Sequence, residues 1–344
     1  MTSNDCEGAG EAFRVVSDSS GPPPPSAAPH PPDSWPAPSP PTPYLTPTTQ
    51  LHLEALTSAL ARVYTLAPSF RAERSQTNRH LSEFWMLEAE MSFLRPGVDS
   101  VCAIIESSLK QVLGALVEDE DVKFLRACVP SASDVGLDDW KAWLEPSTRW
   151  PRVTYTDALK ALQAHHTSGA QPRFAFRPPE WGGALRSEHE RWITQWLDGD
   201  TEGGRCSSPV FVTDYPRMLK PFYMWVNDPE TEPRETVACF DLLVPKLGEL
   251  SGGSVRESRL AKLKESLALH GMDEVGVRIS SLHVSRPHTL HQTQYSWYID
   301  SRRYGTSPHG GFGIGFERLV SWFCGIENVR ECVAFPRWAG RILL

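Results

Sequence analysis

The chain has 344 residues, with 34 Lys or Arg against 42 Asp or Glu, which gives a formal net charge of −8. This balance excludes a protein that coats nucleic acid indiscriminately, because such binding needs a broad excess of basic side chains. No apolar run approaches the roughly 20 residues that a membrane-spanning helix requires, so we expect no membrane association.

The cysteines and the N-terminus indicate the compartment. Seven cysteines are scattered along the chain without a Cys-x-x-Cys pair, which argues against a disulfide scaffold and against a structural zinc site. The first residues are acidic and carry neither the apolar stretch of a secretory signal nor the Arg-rich stretch of a mitochondrial one. We therefore expect a cytoplasmic protein.

Thirteen of the 30 prolines fall between Pro22 and Pro47. Such a segment cannot form a helix or a central strand and buries little apolar surface. We predict that residues 1–42 are disordered and that one folded domain spans residues 43–344. A spacer is the simplest role for the proline-rich segment, and a docking peptide for a proline-reading domain is the alternative.

The first elements of the folded part follow from the spacing of apolar residues. Thr49–Tyr64 has the period of a helix, and Val63–Met91 alternates like a two-stranded hairpin with a long polar tip. Val101–Val117 is the clearest amphipathic helix, and we interpret its apolar stripe as core.

The later elements mix short helices with buried strands. In chain order we predict helices at Tyr155–His165 and Ser187–Trp196, strands at Val210–Val226 and Thr236–Leu243, a helix at Val255–His270 and an insertion loop at residues 276–296. The end, Trp297–Gly325, is predicted to run as a helix, a loop, a glycine-punctuated strand and a final helix. Hairpins flanked by helices, without regular strand–helix alternation, indicate an α+β fold with an antiparallel sheet.

The hairpin carries the first group of chemically informative residues. On its returning strand, side chains alternate with period two, so one face holds Phe84, Met86, Glu88 and Glu90. An aromatic ring beside two carboxylates is costly in a core but suits a polar ligand. Positive charge for phosphates or a carboxylate is available nearby from three residues, Arg71, Arg79 and His80. Alternatively, these charges belong to a solvated hairpin tip.

Two further segments have patterns that are weak singly. Gly311, Gly313 and Gly315 alternate on the last strand, so one face is bare and a flat ligand can approach the backbone; Arg318 follows in the first turn of the next helix. In Phe240–Leu260, Asp241 and Glu249 are expected at neighbouring strand ends, where they would hold Mg²⁺, which favours carboxylate oxygens and substrate phosphates. Alternatively, they are two solvated acidic residues. Arg256 follows a Gly-Gly-Ser segment that permits a tight approach.

Together these segments resemble class II aminoacyl-tRNA synthetases, within the aspartyl, asparaginyl and lysyl group and nearest to its asparaginyl branch. The resemblance runs from about Tyr44 to Arg337 and rests on seven blocks: YLTPTTQLHLEAL, FRAERSQTNRHLSEFWMLEAEM, SEHER, KPFYM, GELSGGSVRE, RRYGTSPHGGFGIGFERL and NVRECVAFPR. It implies an ATP-dependent, AMP-forming ligase built on an antiparallel sheet flanked by helices.

The resemblance assigns the nucleotide site. It implies that Arg71 contacts the α-phosphate and the amino acid carboxylate, that Glu73 accepts from the adenine amino group, and that Phe84 and Arg318 cover the two adenine faces. His80 and Arg79 meet the terminal phosphates or the tRNA end, and Asp241 and Glu249 bind Mg²⁺. The expected catalytic residues are Arg71, Arg318 and His80, and the expected ATP site also includes Glu249, Gly313 and Gly315.

The resemblance also assigns the amino acid site. It implies that Gln50 holds the substrate amino group, with Arg71 on the carboxylate, and that Glu88 and Arg256 frame the side chain. A donor opposite an acceptor suits an amide better than a carboxylate, and Glu88 repels aspartate. Leu53 stands where the aspartyl branch has a lysine. We therefore expect asparagine rather than aspartate as the substrate.

Two departures from the family pattern keep other functions open. Ahead of Tyr44 we recognise neither the anticodon-binding β-barrel nor motif 1, the family's dimer element, so we expect at most a weakened homodimer. The preferred acceptor is the tRNA 3′ end. The alternatives are a repurposed paralogue that transfers an activated aspartate or asparagine to ammonia or a small molecule, and a non-catalytic degenerate copy.

Overall fold

A single seven-stranded sheet organises the computed structural model, which describes residues 12–16, 43–73, 77–95, 97–129, 135–145, 147–196, 208–228, 234–272 and 295–342. Its helices are α1 (Gln50–Leu60), α2 (Asp99–Leu116), α3 (Glu120–Cys128), α4 (Leu137–Leu144), α5 (Tyr155–Ser168), α6 (Ser187–Trp196), α7 (Leu260–Leu269), α8 (Ser296–Arg303) and α9 (Phe316–Cys324). Its strands are β1 (Arg62–Phe70), β2 (Glu83–Ser92), β3 (Arg152–Thr154), β4 (Val210–Pro216), β5 (Thr236–Val244), β6 (Gly248–Val255), β7 (His309–Gly315), β8 (Arg337–Trp338) and β9 (Arg341–Ile342).

The strand order of the sheet is β1-β2-β7-β6-β5-β4-β3. Every neighbouring pair is antiparallel except β3 and β4, which are parallel. β8 and β9 form a separate two-stranded hairpin. The expected α+β fold with an antiparallel sheet is confirmed.

Alternation along the central strands divides the core into two layers, one on each side of the sheet. Val210 and Val212 of β4 pack with α5, α6, α7 and α8, whereas Phe211 between them packs with α2, α4 and α9. On β5, Cys239 and Leu243 belong to the first layer. Asp241 lies between these two and shares their face, because side chains alternate with period two. A carboxylate thus stands where the pattern would otherwise place an apolar residue.

The predicted hairpin and the long helix are confirmed, with α1 ending at Leu60 rather than Tyr64. Other boundaries differ. The strand beginning at Val210 ends at Pro216, where residues 217–219 form a 3₁₀ turn, and α7 begins at Leu260 because Val255 completes β6. β6 itself was not predicted as a strand, since its sequence GELSGGSV is poor in strand-forming side chains.

The N-terminal boundary also needs correction. Val15 N–H donates to the Pro43 carbonyl oxygen at 2.9 Å, and Leu45 N–H donates to the Phe13 carbonyl oxygen at 2.9 Å. Residues 12–16 therefore pair with the start of the folded part, although we expected disorder throughout residues 1–42. The rest of that segment lies outside the described residues, as does the predicted insertion loop up to residue 294.

No single helix among the described ranges is long and apolar enough to cross a membrane. α2 and α3 meet the length and composition requirement only when taken together, across an 87° bend. Val101, Ile105 and Leu113 of the apolar stripe of α2 are fully buried in the core, whereas Val112 is 40% exposed.

Two glycine substitutions test the packing of this sheet. A Cβ on Gly310 of β7 would lie 2.6 Å from the Ser254 carbonyl oxygen and 3.0 Å from Leu94 Cδ1. We expect Gly310→Ala to destabilise the fold by about 1–3 kcal/mol, as overpacking does. In the matched control Gly114→Ala on α2, the nearest atom is 3.9 Å away, so we expect a gain of about 0.5–1 kcal/mol. Urea denaturation measures both, and a Gly310→Ala variant as stable as the parent would contradict this packing.

Candidate active site

A cavity of about 240 Å³ opens on the face of the sheet formed by β2, β7 and β6, and it is closed by α1, the β1–β2 connection, the loop after β4 and the start of α9. Its lining includes every site residue expected from the sequence: Gln50, Arg71, Glu73, Arg79, His80, Phe84, Glu88, Asp241, Glu249, Arg256, Gly313, Gly315 and Arg318. Residues from four separate segments, 50, 71–88, 241–256 and 313–318, thus meet in one place.

Strand β2 forms one wall through side chains of a single face. Phe84, Met86, Glu88 and Glu90 all line the cavity, as the period-two prediction requires. Phe84 and Glu90 are six residues apart, which is about 20 Å along an extended strand. The cavity is therefore elongated along β2, with an aromatic end and a carboxylate end.

At the aromatic end, Arg71 and Phe84 lie against each other. The Arg71 guanidinium carbon is 5.4 Å from the centroid of the Phe84 ring, which is within the range of a cation–π contact. Arg71 Nε also donates to the Pro47 carbonyl oxygen at 3.5 Å. The sequence suggested separate contacts of these two residues with a nucleotide, and the structure brings them together as a pair.

Glu73 and His80 form a second pair across the β1–β2 connection. His80 Nε2 is 3.2 Å from the Glu73 carboxylate, and its Nδ1 is 2.6 Å from Thr77 Oγ1. Burial of the ring, aided by the Arg318 and Arg79 charges, lowers the pKa of His80 below its usual value, although Glu73 acts in the opposite direction. The folded protein thus favours the neutral ring.

Arg318 closes this end from the first turn of α9. Its Nη1 donates to the Glu249 carbonyl oxygen at 3.3 Å and lies 3.7 Å from the Glu249 carboxylate. Burial acts to raise the pKa of Glu249, but the Arg318 and Lys220 charges outweigh it and hold this pKa below its usual value. Glu249 is therefore ionised at neutral pH.

Asp241 and Glu249 converge on the backbone of β6. A Cβ on Gly252 would lie 3.5 Å from Asp241 Oδ1 and 3.7 Å from Glu249 Oε1. Lys220 Nζ donates to both oxygens of Asp241, at 2.7 and 2.8 Å. Sequence analysis gave Lys220 no role, although it lies in the KPFYM block. Burial raises the pKa of Asp241, against the effect of Lys220.

Glu190 of α6 is a further residue that sequence analysis missed. Its carboxylate accepts from Arg79 Nη1 at 3.3 Å and from the Glu249 N–H at 3.4 Å, and Arg79 also donates to Ser187 Oγ at 2.7 Å. Glu190 lies in the SEHER block that the resemblance includes, but the sequence of this block does not indicate which residues Glu190 contacts. Glu190 ties α6 to the cavity wall.

At the carboxylate end, Glu88 and Arg256 have different partners. Glu88 accepts hydrogen bonds from the hydroxyls of Thr48 and Thr49 and from the Thr49 N–H at 2.8 Å. Arg256 donates to both oxygens of Glu90, at 3.0 and 2.9 Å. Both expected residues line the cavity, but Arg256 is paired with Glu90, which sequence analysis placed on the ligand-facing side of β2 without a specific partner.

Comparison with known proteins identifies the family. The model of the family "tRNA synthetases class II (D, K and N)" matches residues 4–339. The chain belongs to this family of class II synthetases.

Several members of the family that resemble this chain are named as asparagine–tRNA ligases. The chain is 37% identical over 350 residues to the mitochondrial asparagine–tRNA ligase of Saccharomyces cerevisiae and 39% identical over 342 residues to the asparagine–tRNA ligase of Xanthomonas axonopodis pv. citri. These alignments cover 98% and 99% of this chain, but only 62% and 64% of the relatives. The crystal structure of asparaginyl-tRNA synthetase from Pyrococcus horikoshii with asparaginyl-adenylate superposes with a TM-score of 0.73 at 30% identity, over 99% of this chain and 62% of that one.

The Glu73–His80 contact makes a testable prediction about proton affinity. In Glu73→Gln the carboxylate charge that raises the pKa of His80 is lost, so we expect this pKa to fall further below its usual value. An NMR titration of the His80 ring measures the shift. The control is Glu83→Gln on the same hairpin, whose partner is Arg337 and which should leave His80 unchanged. A rise in the pKa of His80 in Glu73→Gln would show that the pair does not interact as the structure indicates.

Proposed function

We propose that this chain supplies the catalytic site of an ATP-dependent asparagine–tRNA ligase. In the first step the asparagine carboxylate attacks the α-phosphorus of ATP, a new phosphorus–oxygen bond forms, and pyrophosphate leaves. In the second step the acyl group passes from the adenylate to a hydroxyl of the tRNA 3′ end, and AMP leaves. The chain spans 62–64% of the length of the relatives quoted above.

The elongated cavity is the observation that carries this proposal. One end presents a ring and several cations, which suits a purine and its phosphates. The other end, which reaches Glu90 about 20 Å along β2, presents Gln50, Glu88 and Arg256, which suits a small zwitterion with a polar side chain. A site that holds both ligands in line lowers the barrier by positioning them before reaction.

Charge placement supports the adenylation step. In the transition state, negative charge accumulates on the α-phosphate oxygens, and fixed cations are most effective where such charge develops. Arg71 lines the cavity at its aromatic end, beside Phe84. Its role in our proposal is to contact both the α-phosphate and the attacking carboxylate.

Asparagine is the proposed amino acid substrate. Glu88 is held by two threonine hydroxyls and one backbone N–H, an arrangement that stabilises the carboxylate as a hydrogen-bond acceptor. An ionised acceptor attracts the amide NH₂ of asparagine and repels the carboxylate of aspartate. The asparaginyl names of the relatives agree with this preference.

Mg²⁺ is the proposed metal, held by Asp241 and Glu249. The described residues contain no group of three or more His, Cys, Asp or Glu side chains placed to hold a metal ion. Two carboxylates converging on Gly252 nevertheless fit a hard cation that takes its other ligands from phosphates and water. When bound, Mg²⁺ would offset phosphate charge. Lys220 supplies part of that positive charge from the protein itself.

We also predict the location, the oligomeric state and the acyl acceptor of this protein. A cytoplasmic location rests on the sequence alone, and one of the relatives is named as mitochondrial. The weakened homodimer and the alternative acceptors, ammonia or a small molecule, likewise stand as they were predicted. Amino-acid-dependent pyrophosphate exchange, followed by transfer assays with tRNA and with small amines, separates the proposed ligase from a repurposed paralogue and from an inactive copy.

Arg71→Ala tests the proposed adenylation site. The parent protein should catalyse pyrophosphate exchange with asparagine, and Arg71→Ala should reduce that rate by at least about a hundredfold while weakening ATP binding much less, because the lost charge acts mainly in the transition state. Arg186→Ala is the matched control, since Arg186 also lies over a phenylalanine ring, at 4.0 Å from Phe176, but does not line the cavity. Exchange at the parental rate in Arg71→Ala would remove Arg71 from the mechanism.

The double variant Asp241→Asn, Glu249→Gln tests the metal ligands. We expect the Mg²⁺ concentration that half-saturates pyrophosphate exchange to rise about tenfold or more, with asparagine affinity nearly unchanged. Glu190→Gln removes a neighbouring carboxylate that does not line the cavity and should leave the Mg²⁺ dependence as it is. Circular dichroism shows whether the double variant folds; loss of the fold would assign the two carboxylates a structural role instead.

A further inference from the structure

A buried polar network lies behind the amino acid end of the cavity, and Glu54 is at its centre. Glu54 is 3% exposed and follows Gln50 by one turn of α1. Its carboxylate accepts from Arg302 Nη2 at 2.6 Å, Tyr298 Oη at 2.6 Å and Gln50 Nε2 at 3.0 Å, and it lies 3.1 Å from His309 Nε2 and 3.8 Å from Arg256 Nε.

Glu54 is held in its ionised form by this network. A carboxylate buried without partners is very costly, so a buried one is retained where cations and donors surround it. Burial acts to raise the pKa of Glu54, but the Arg302 charge and the His309 hydrogen bond outweigh it and hold the pKa far below its usual range. A fixed negative charge therefore stands directly behind the substrate-binding side chains.

The first consequence concerns Gln50, which lines the cavity. An ionised carboxylate only accepts hydrogen bonds, so Glu54 accepts from the NH₂ group of the Gln50 amide. The carbonyl oxygen of Gln50 then points away from Glu54. That oxygen is then the group available to a ligand, and an oxygen suits the α-ammonium of an amino acid. Glu54 thereby fixes which end of the Gln50 amide faces the substrate.

The second consequence concerns Arg256. Its Nε and Nη2 donate to the two oxygens of Glu90, and its Nη1 donates to Ser254 Oγ at 2.6 Å. Glu54 lies 3.8 Å from Arg256 and is itself paired with Arg302. The two carboxylates Glu54 and Glu90 thus balance the two guanidinium charges of this network. The contacts among the described residues use three of its five N–H groups, so it can still donate to a ligand oxygen but attracts an anion only weakly.

We propose that Glu54 is a positioning and specificity-determining residue, which orients Gln50 for the substrate ammonium and, with Glu90, offsets the charge of Arg256 so that the site prefers a side-chain amide over a carboxylate. This inference rests on the proposed function, since it assumes that the cavity binds asparagine. Glu54 acts through Gln50 and Arg256, because it does not itself line the cavity.

The test compares the equilibrium affinities of asparagine and aspartate in Glu54→Gln, measured by titration calorimetry. This nearly isosteric change removes the charge and allows the Gln50 amide to turn. We expect asparagine affinity to fall about tenfold and the preference for asparagine over aspartate to fall about tenfold as well, within the range that single polar contacts contribute to discrimination.

Two further variants separate a specific role from a structural one. Glu106→Gln is the matched control, because Glu106 is also a buried glutamate, 6% exposed, that pairs with Lys110 and Arg152 but lies on α2 away from the cavity. It should lower the melting temperature without changing the asparagine preference. Glu90→Gln should lower the preference for asparagine over aspartate but leave the Gln50 amide oriented by Glu54. The affinity for asparagine should therefore fall less than in Glu54→Gln. If Glu54→Gln fails to fold, the Glu90→Gln variant still tests the charge argument.

The outcomes that overturn the inference are distinct from failure of the proposed function. If the parent protein binds no asparagine, the proposed function itself is wrong and the inference falls with it. If the parent binds asparagine and the folded Glu54→Gln variant keeps the parental preference, only the role of Glu54 is refuted. An equal loss of preference in Glu106→Gln would likewise refute it, since the effect would then be one of general destabilisation.

Discussion

The ion pair between Arg256 and Glu90 constrains the face of the sheet that lines the cavity. Both side chains are fully buried, and they join β2 to the end of β6 across β7. Breaking such a pair leaves an uncompensated charge in a medium that solvates it poorly, at a cost of about 3–5 kcal/mol. The pair is therefore formed only when all three strands are in register. It fixes the spacing of the wall against which the proposed substrate lies.

The glycines of β6 and β7 allow these strands to pack as closely as the Arg256–Glu90 pair requires. A Cβ on Gly253 would lie 2.6 Å from the Phe240 ring and 2.7 Å from the Gly311 carbonyl oxygen, so bulkier residues would force the strands apart. Bare backbone at Gly313 and Gly315 also leaves room for the cavity beside the large side chains of β2. The same residues thus allow close strand packing and create the binding space.

Charge compensation extends from this pair along the entire cavity. Lys220 offsets Asp241, Arg318 lies beside Glu249, Arg79 offsets Glu190, and Arg302 offsets Glu54. Each of these four carboxylates has a cation from a different part of the chain, so this set of pairs cannot form before the sheet and helices have assembled. A set of opposed charges held in this way would need little rearrangement to bind the proposed nucleotide.

The sequence by itself determined the fold class, the β1–β2 hairpin, the face of β2 that lines the cavity, and the set of residues that meet there. These follow from local period and from motif identity, which are properties of short segments. Tertiary structure alone decided the partners: Glu90 rather than Glu88 for Arg256, Lys220 for Asp241, and Glu54 behind Gln50. It also decided that β6 is a strand despite its three glycines, because β5 and β7 pair with it on both sides. Ion pairs between residues 166 positions apart depend on strand order and register, and no local pattern in the chain encodes those distances.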